Sequence, residues 1–444
     1  MSGERVHVLS PRTWGEFGNY LAATRFTAVL RDQLPGAEVT LLTAESLLPW
    51  VGDVGARIRD ITLQSPDTAT RTRRYQALMA ELAAEWPAGC EAGAAPPPGA
   101  RALDGLVGHL RTHRPDLVVG AKPFVARLCL AAANAAAHAD GRPRPRVAAH
   151  VTNPGLLGLD VHRSACLDLT FVGFEWARTL LVDQVGAPQD RVRTVGPLVA
   201  QHELGNFLTG PQGTGGDTGA AGTGDGARTG GDDGDASGTA PRPGAERPEV
   251  IVFSNRGGDT YLRAVEHLAR RQADVDLVFV GYGDEDTTRR AAALAAEAGE
   301  AGRNWRFHTR LRQAEYFAYI DGAARRPHSF LVSKAGPATV LEAAYFGIPV
   351  LTLDSGLPME AWVPGLVRDQ RLGRCCRTGP ELLSALDAWL DRPETVAEHR
   401  RHALAYARTA LDQDAVGRRI GQAVRDLLRH DRAPRTTVAS GEPL

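Results

Sequence analysis

Ser333-Lys-Ala-Gly-Pro-Ala-Thr-Val-Leu-Glu342 decides the fold. Before it runs a short apolar stretch of strand type, Phe330-Leu331-Val332, and after it Ala338 to Phe346 suits a helix that Gly347 ends. Strand, glycine turn and helix together make a seat for an anion. Pro337 at the first helical position costs no hydrogen bond, Gly336 lets a ligand approach the backbone, and the free N–H groups of a helix start face whatever lies in front. Lys334 adds a full positive charge. Glu342, about five residues into a helix rising ~1.5 Å per residue, lies roughly 7 Å from the anion end, a spacing that suits a carboxylate accepting hydrogen bonds from two ribose hydroxyls. The bland alternative is a solvated strand-end lysine and a helix-face acid.

Composition bears on that choice. Of 51 basic residues only Lys122 and Lys334 are lysine, so this chain writes nearly every surface cation as arginine. At 444 residues it fits two domains of about 180 residues plus a linker. A net charge of −1 gives no general pull toward nucleic acid, and none is expected as a partner. The five cysteines show neither metal-ligand spacing nor a disulfide framework, so no metal site is expected and a reducing cytoplasm is the expected compartment. Met1-Ser-Gly-Glu-Arg leads straight into a strand-like run, so no secretory leader is expected, and the most apolar helical stretch, Phe124 to Ala139, is too short to span a bilayer.

The run from Ser333 through Gly347-Ile-Pro-Val-Leu351, followed by Leu357-Pro-Met-Glu360, resembles the donor-site signature of GT-B glycosyltransferases. The resemblance is to glycosyltransferase family 28: monogalactosyldiacylglycerol synthases, diacylglycerol glucosyltransferases, and the N-acetylglucosaminyltransferase that completes the lipid-linked peptidoglycan precursor. It implies an α/β fold of two Rossmann-like domains with parallel sheets facing a cleft. It also implies metal-independent hexosyl transfer from a nucleotide diphosphate sugar, a UDP-sugar foremost, to a lipid-linked or natural-product acceptor. The nucleotide sugar would be a co-substrate, and no cofactor is implied. Donor-binding candidates are Lys334, Ala335, Gly336, Pro337, Ala338 and Glu342, with Met359 and Glu360 at the sugar. Ser254, Gly257 and Gly258, in a second glycine loop, would lie against the diphosphate or sugar, and backbone near Arg310 and Leu311 would meet the base.

The expected division is an acceptor-side domain over 1–200, a flexible linker over 201–248, a nucleotide-sugar domain over 249–402, a helix over 403–430 crossing back, and a disordered tail over 431–444. Gly210 to Gly244 holds 13 glycines and, proline aside, no apolar residue larger than alanine, so nothing there offsets the entropy of ordering.

In the amino-terminal half, Val6 to Leu9 reads as a buried strand and Asn19 to Leu34 as a helix with Ala22, Phe26, Val29 and Leu30 on one face. The loop between them ends Gly18-Asn19-Tyr20, where the resembled families place a histidine proposed for catalysis. Asn153 likewise stands where they place an acid. An amide cannot act as a base near pH 7, so Glu16, His150 and His162 become the candidate bases, with Asn19, Asn153 and Lys122 on the acceptor side. Solvated loop acids and satisfied histidines are the alternatives. Leu47-Leu-Pro-Trp-Val51 beside Arg71-Thr-Arg-Arg74 suits an anionic amphiphile and peripheral contact at the inner membrane face, or else is ordinary core beside a solvated helix face. Two rival functions share the two-domain plan: a nucleotide-sugar 2-epimerase, and a catalytically weak partner that binds nucleotide sugar.

Overall fold

A computed structural model of the chain describes residues 3–13, 18–65, 68–85, 102–157, 159, 166–199, 247–254 and 259–429. Among the described residues twelve strands form two sheets of six, and every pairing is parallel. The first comprises β1 (Arg5–Ser10), β2 (Glu38–Thr43), β3 (Leu117–Gly120), β4 (Arg146–His150), β5 (Leu169–Val172) and β6 (Val192–Thr194), in the order β2-β1-β3-β4-β5-β6. The second comprises β7 (Glu249–Phe253), β8 (Asp276–Val280), β9 (Trp305–His308), β10 (Phe330–Lys334), β11 (Val350–Leu353) and β12 (Gly373–Cys376), in the order β12-β11-β10-β7-β8-β9. Counting from its own first strand, the second sheet has the Rossmann order 3-2-1-4-5-6, while the first begins 2-1-3 in the flavodoxin manner.

The strands are short continuous apolar runs because helices cover both faces of each sheet. Val6 and Val8 look to one core and Leu9 to the other; Val250 and Val252 likewise oppose Ile251 and Phe253. The first helix, Gly18–Gln33, packs Ala23, Phe26 and Leu30 against the first sheet. Gly347, at a φ of +72°, lies just past the helix Pro337–Tyr345, and a side chain there would collide with Leu404.

One correction concerns the return crossing. The expected single helix from 403 is two: Pro393–Ala410 stays with the second sheet, and Gln413–Arg429 lies on the first. Asp412 makes the break by accepting the Ala415 N–H at 2.9 Å, a helix cap inside an amphipathic stretch that periodicity alone reads as continuous. Gln413 then ties the crossing down, accepting the Val199 N–H at 2.8 Å and donating to the Pro197 carbonyl at 3.2 Å. Beyond it Val416, Ile420 and Val424 enter the core that holds Val6 and Phe26. The apolar stretch near Trp50, open between core and membrane tip in the sequence, is core. Leu48 and Val51 are buried core rather than an exposed tip, and Trp50 packs its ring 6.4 Å from that of Phe124. The Gly-rich segment and the tail lie outside the described residues.

Candidate active site: the cleft between the sheets

In an open parallel sheet, ligands bind beyond the carboxyl ends of the strands where the strand order reverses. In the first sheet that point lies between β1 and β3, and in the second between β7 and β10. Lys122 follows β3 by two residues and Lys334 is the last residue of β10. Both lysines line one cavity of about 240 Å³ between the domains. Three surface concavities are roomier, at about 430, 540 and 740 Å³, but the first two lie away from either switch point and the third is an open groove beside Trp176.

The second domain supplies the floor. Gly336 holds the N-cap of the helix Pro337–Tyr345 in extended conformation and, being glycine, offers no side-chain cap to the first-turn amides. Gly336, Pro337 and Ala338 line the cavity, while Ala335 is buried in the core beneath it. The Lys334 ammonium lies 3.2 Å from Glu360 Oε1. Glu360 Oε2 is buried and has no hydrogen-bond partner among the described residues. A buried carboxylate oxygen left unmatched is costly, and a hydroxyl donor placed in the cavity would satisfy it. Met359 lines the cavity beside it.

Glu342 is engaged from the other domain. Its Oε1 accepts from Arg25 Nη2 at 2.5 Å, with the two side chains 8% and 5% exposed. Burial first, and the Glu342 charge second, push the Tyr316 phenol well above its usual range. Arg25 is a residue that sequence reasoning passed over, yet it stands three after Ala22 on the apolar face of its helix, where a cation needs a buried partner.

The first domain supplies the roof. Asn19 Oδ1 accepts from the Thr152 hydroxyl at 2.6 Å. Asn153 Oδ1 accepts from the Trp362 indole at 3.4 Å, and the same indole donates to the Met359 carbonyl at 3.1 Å. The two amides thus serve as polar scaffold, one within the first domain and one across to the second. His150, at the end of β4, stacks on Phe26 with ring centroids 4.6 Å apart, and its Nδ1 is buried without a partner among the described residues. Burial holds its pKa down to about 4, so the imidazole is neutral at physiological pH. Lys122 is 5% exposed, and burial pushes its pKa down to about 7.

The domains touch where side chains are absent or flat. A Cβ on Gly155 would lie 2.5 Å from the Met359 carbonyl oxygen, and Phe174 packs on Trp362 with centroids 5.0 Å apart. Arg71 reaches across to donate to the Ser355 carbonyl at 3.2 Å. Other sequence candidates fall elsewhere. Ser254 is buried at the end of β7, its N–H on the Val280 carbonyl at 2.9 Å. Leu311 is core, and Arg310 is exposed beside Gly283; neither lines the cavity. Glu16, His162, Gly257 and Gly258 lie outside the described residues.

By sequence the chain matches no family model and no curated protein. By structure it superimposes over nearly its whole length on several solved proteins. Sucrose-phosphate synthase from Thermosynechococcus elongatus gives a TM-score of 0.51 at 13% identity, covering 96% of this chain and 100% of the other. The calicheamicin glycosyltransferase CalG4 gives 0.50 at 16%, covering 98% and 100%. The fold is GT-B. UDP-GlcNAc 2-epimerase from Neisseria meningitidis, solved with UDP-GlcNAc, also gives 0.50, at 9% identity over 97% and 100%. At such identities the likeness is one of fold, and this GT-B chain's chemistry must be argued from its own cleft. Among the described residues no helix is long and apolar enough to cross a membrane.

Proposed function

We propose that the chain transfers a hexosyl group from a nucleotide diphosphate sugar, a UDP-sugar foremost, to a hydroxyl of a lipid-linked or natural-product acceptor. One observation carries the reading. A lysine, an uncapped helix start and a buried carboxylate with one unmatched oxygen converge on a single cavity at the switch points of two facing sheets. Diphosphate takes Lys334 and the first-turn amides, and a sugar hydroxyl donates to Glu360 Oε2. Phosphate would draw the lysine off Glu360 Oε1, freeing the second oxygen for the sugar as well. The ribose hydroxyls go to Glu342 once Arg25 lets go, so donor entry and domain opening are one event. Charge growing on the departing diphosphate is met by fixed positive ends already in place, which suits metal-independent transfer.

The similar structures support the nucleotide-sugar part, one being a calicheamicin glycosyltransferase and another an epimerase bound to UDP-GlcNAc. Incubation with radiolabelled UDP-sugars, with and without hydroxylated acceptors, tests the proposal. Transfer, or slow hydrolysis of the donor to UDP, is the expected result. Isomerised sugar without release of UDP would establish the epimerase reading, and binding without turnover that of a catalytically weak partner.

A further inference from the structure

Arg25 belongs to the helix Gly18–Gln33 of the first domain, and its ion-pair partner Glu342 to the helix Pro337–Tyr345 of the second. Arg25 lines the cavity between the domains and Glu342 is not on its wall, so the guanidinium stands between that carboxylate and the space where the donor is placed. The pair does not satisfy the whole guanidinium. Nη2 donates to Glu342 Oε1 at 2.5 Å, while Nε is buried and has no hydrogen-bond partner among the described residues. A buried donor left unmatched is costly, and an anion in the cavity would satisfy it.

One helix receives both ends of the nucleotide. On the reading above, the diphosphate lies at the first turn of Pro337–Tyr345 and the ribose at Glu342, roughly 7 Å farther along the axis. Ribose hydroxyls that donate to Glu342 compete with Arg25 for the carboxylate. A guanidinium so displaced, with 5% of the residue exposed, would be a buried charge without its counter-charge, which is strongly penalised. The donor brings the replacement. Its phosphate oxygens lie about one and a half turns back along the helix that Arg25 already touches, beside Lys334 on the same cavity wall. The planar fork of a guanidinium matches two phosphate oxygens at once, and a phosphate offers Nε the acceptor it lacks.

We propose that Arg25 is a donor-binding residue with two partners in turn, Glu342 and then the diphosphate: the ribose takes the carboxylate, and the guanidinium passes to the phosphates. The inference rests on the donor part of the transferase reading and adds to it a cation supplied across the cleft by the other domain. Its consequence is selective. Uridine alone breaks the ion pair and gives Arg25 nothing in return, whereas UDP breaks the pair and replaces it. Closure of the cleft through Arg25 therefore needs ribose and diphosphate on one ligand.

Arg25→Gln keeps a hydrogen-bond donor for Glu342 and removes the charge. By calorimetry it should lower affinity for UDP ~10-fold or more, while affinity for uridine holds or rises, since uridine no longer has an ion pair to break. A residue that merely clamps the domains together would move both affinities alike. A UDP-to-uridine affinity ratio within about 3-fold of the unmodified protein's would overturn the inference. A crystal structure of the unmodified protein with UDP keeps the test open should the variant fail to fold. Arg25 off Glu342 and within hydrogen-bond distance of a phosphate oxygen is expected there, and Arg25 still on Glu342 would overturn the inference. Either reversal leaves the donor reading intact, because UDP has bound; failure of the unmodified protein to bind UDP would overturn both.

Discussion

The two halves of the molecule are built alike and read very differently. Each is a parallel six-stranded sheet with a crevice beside its first strand, and each places a lysine there. In the second half the crevice works through backbone amides, a glycine, a proline and a charge. Those demands fix residue types, so Ser333 to Glu342 declares itself in one dimension. In the first half the crevice works through side chains whose identity depends on what they hold. Asn19 and Asn153 replace the groups that the family resemblance implies, and Lys122 and Arg25 take positions no motif marks. A site built from backbone geometry constrains a sequence more tightly than one built from side chains does.

The seam between the halves should be the place of largest effect. Arg25→Met leaves Glu342 charged and buried, and should cost about 3–5 kcal/mol in denaturant unfolding. Adding Glu342→Met should recover most of that loss, since the penalty belongs to the unpaired charge. A loss under about 1 kcal/mol would show that the halves are not tied there.

The next effect tests the first half alone. Burial lowers the His150 pKa to about 4 from an ordinary 6.5, so between those values the unfolded chain binds a proton that the folded chain refuses. Stability should therefore be fullest above pH 6.5 and fall by about 3 kcal/mol as the pH drops to 4. His109, also lowered to about 4 by burial and by its neighbours His113 and His7, adds to the same slope. Comparing unfolding across pH 4–7 with His150→Asn isolates the His150 share, and an unchanged slope would place that imidazole in water.

The second half gives smaller, sharper effects. Lys334→Ala should weaken UDP binding ~100-fold by calorimetry, with the acceptor half untouched. Glu360→Gln should leave UDP affinity within 2-fold or so but cut affinity for the intact UDP-sugar by about 10-fold, through loss of the acceptor at the sugar hydroxyl. Equal losses for UDP and UDP-sugar would move Glu360 from the sugar to the phosphates.

Much of the architecture is legible in the chain. Buried parallel strands are continuous apolar runs, and Gly347 and Pro337 punctuate the central helix where backbone geometry requires them. The break at Asp412 escaped because a cap in mid-pattern looks like one more surface acid. Leu47 to Val51 reads as either core or membrane tip because a short apolar run without a period does not say what covers it. Arg25 left a signal, a cation on an apolar face, but its partner lies 317 residues away.

The sequence by itself determined that two α/β units exist and that one carries a strand, a glycine turn and a helix start beside a rare lysine, because turns, helix starts and apolar runs are local properties of consecutive residues. Only the tertiary structure decided that Lys122 and Lys334 share one cavity, that Glu342 meets Arg25, and that Asn19 and Asn153 accept hydrogen bonds from Thr152 and Trp362. Burial, charge pairing and a shifted proton affinity arise between segments far apart in the chain, and they come into being when one sheet closes over the other.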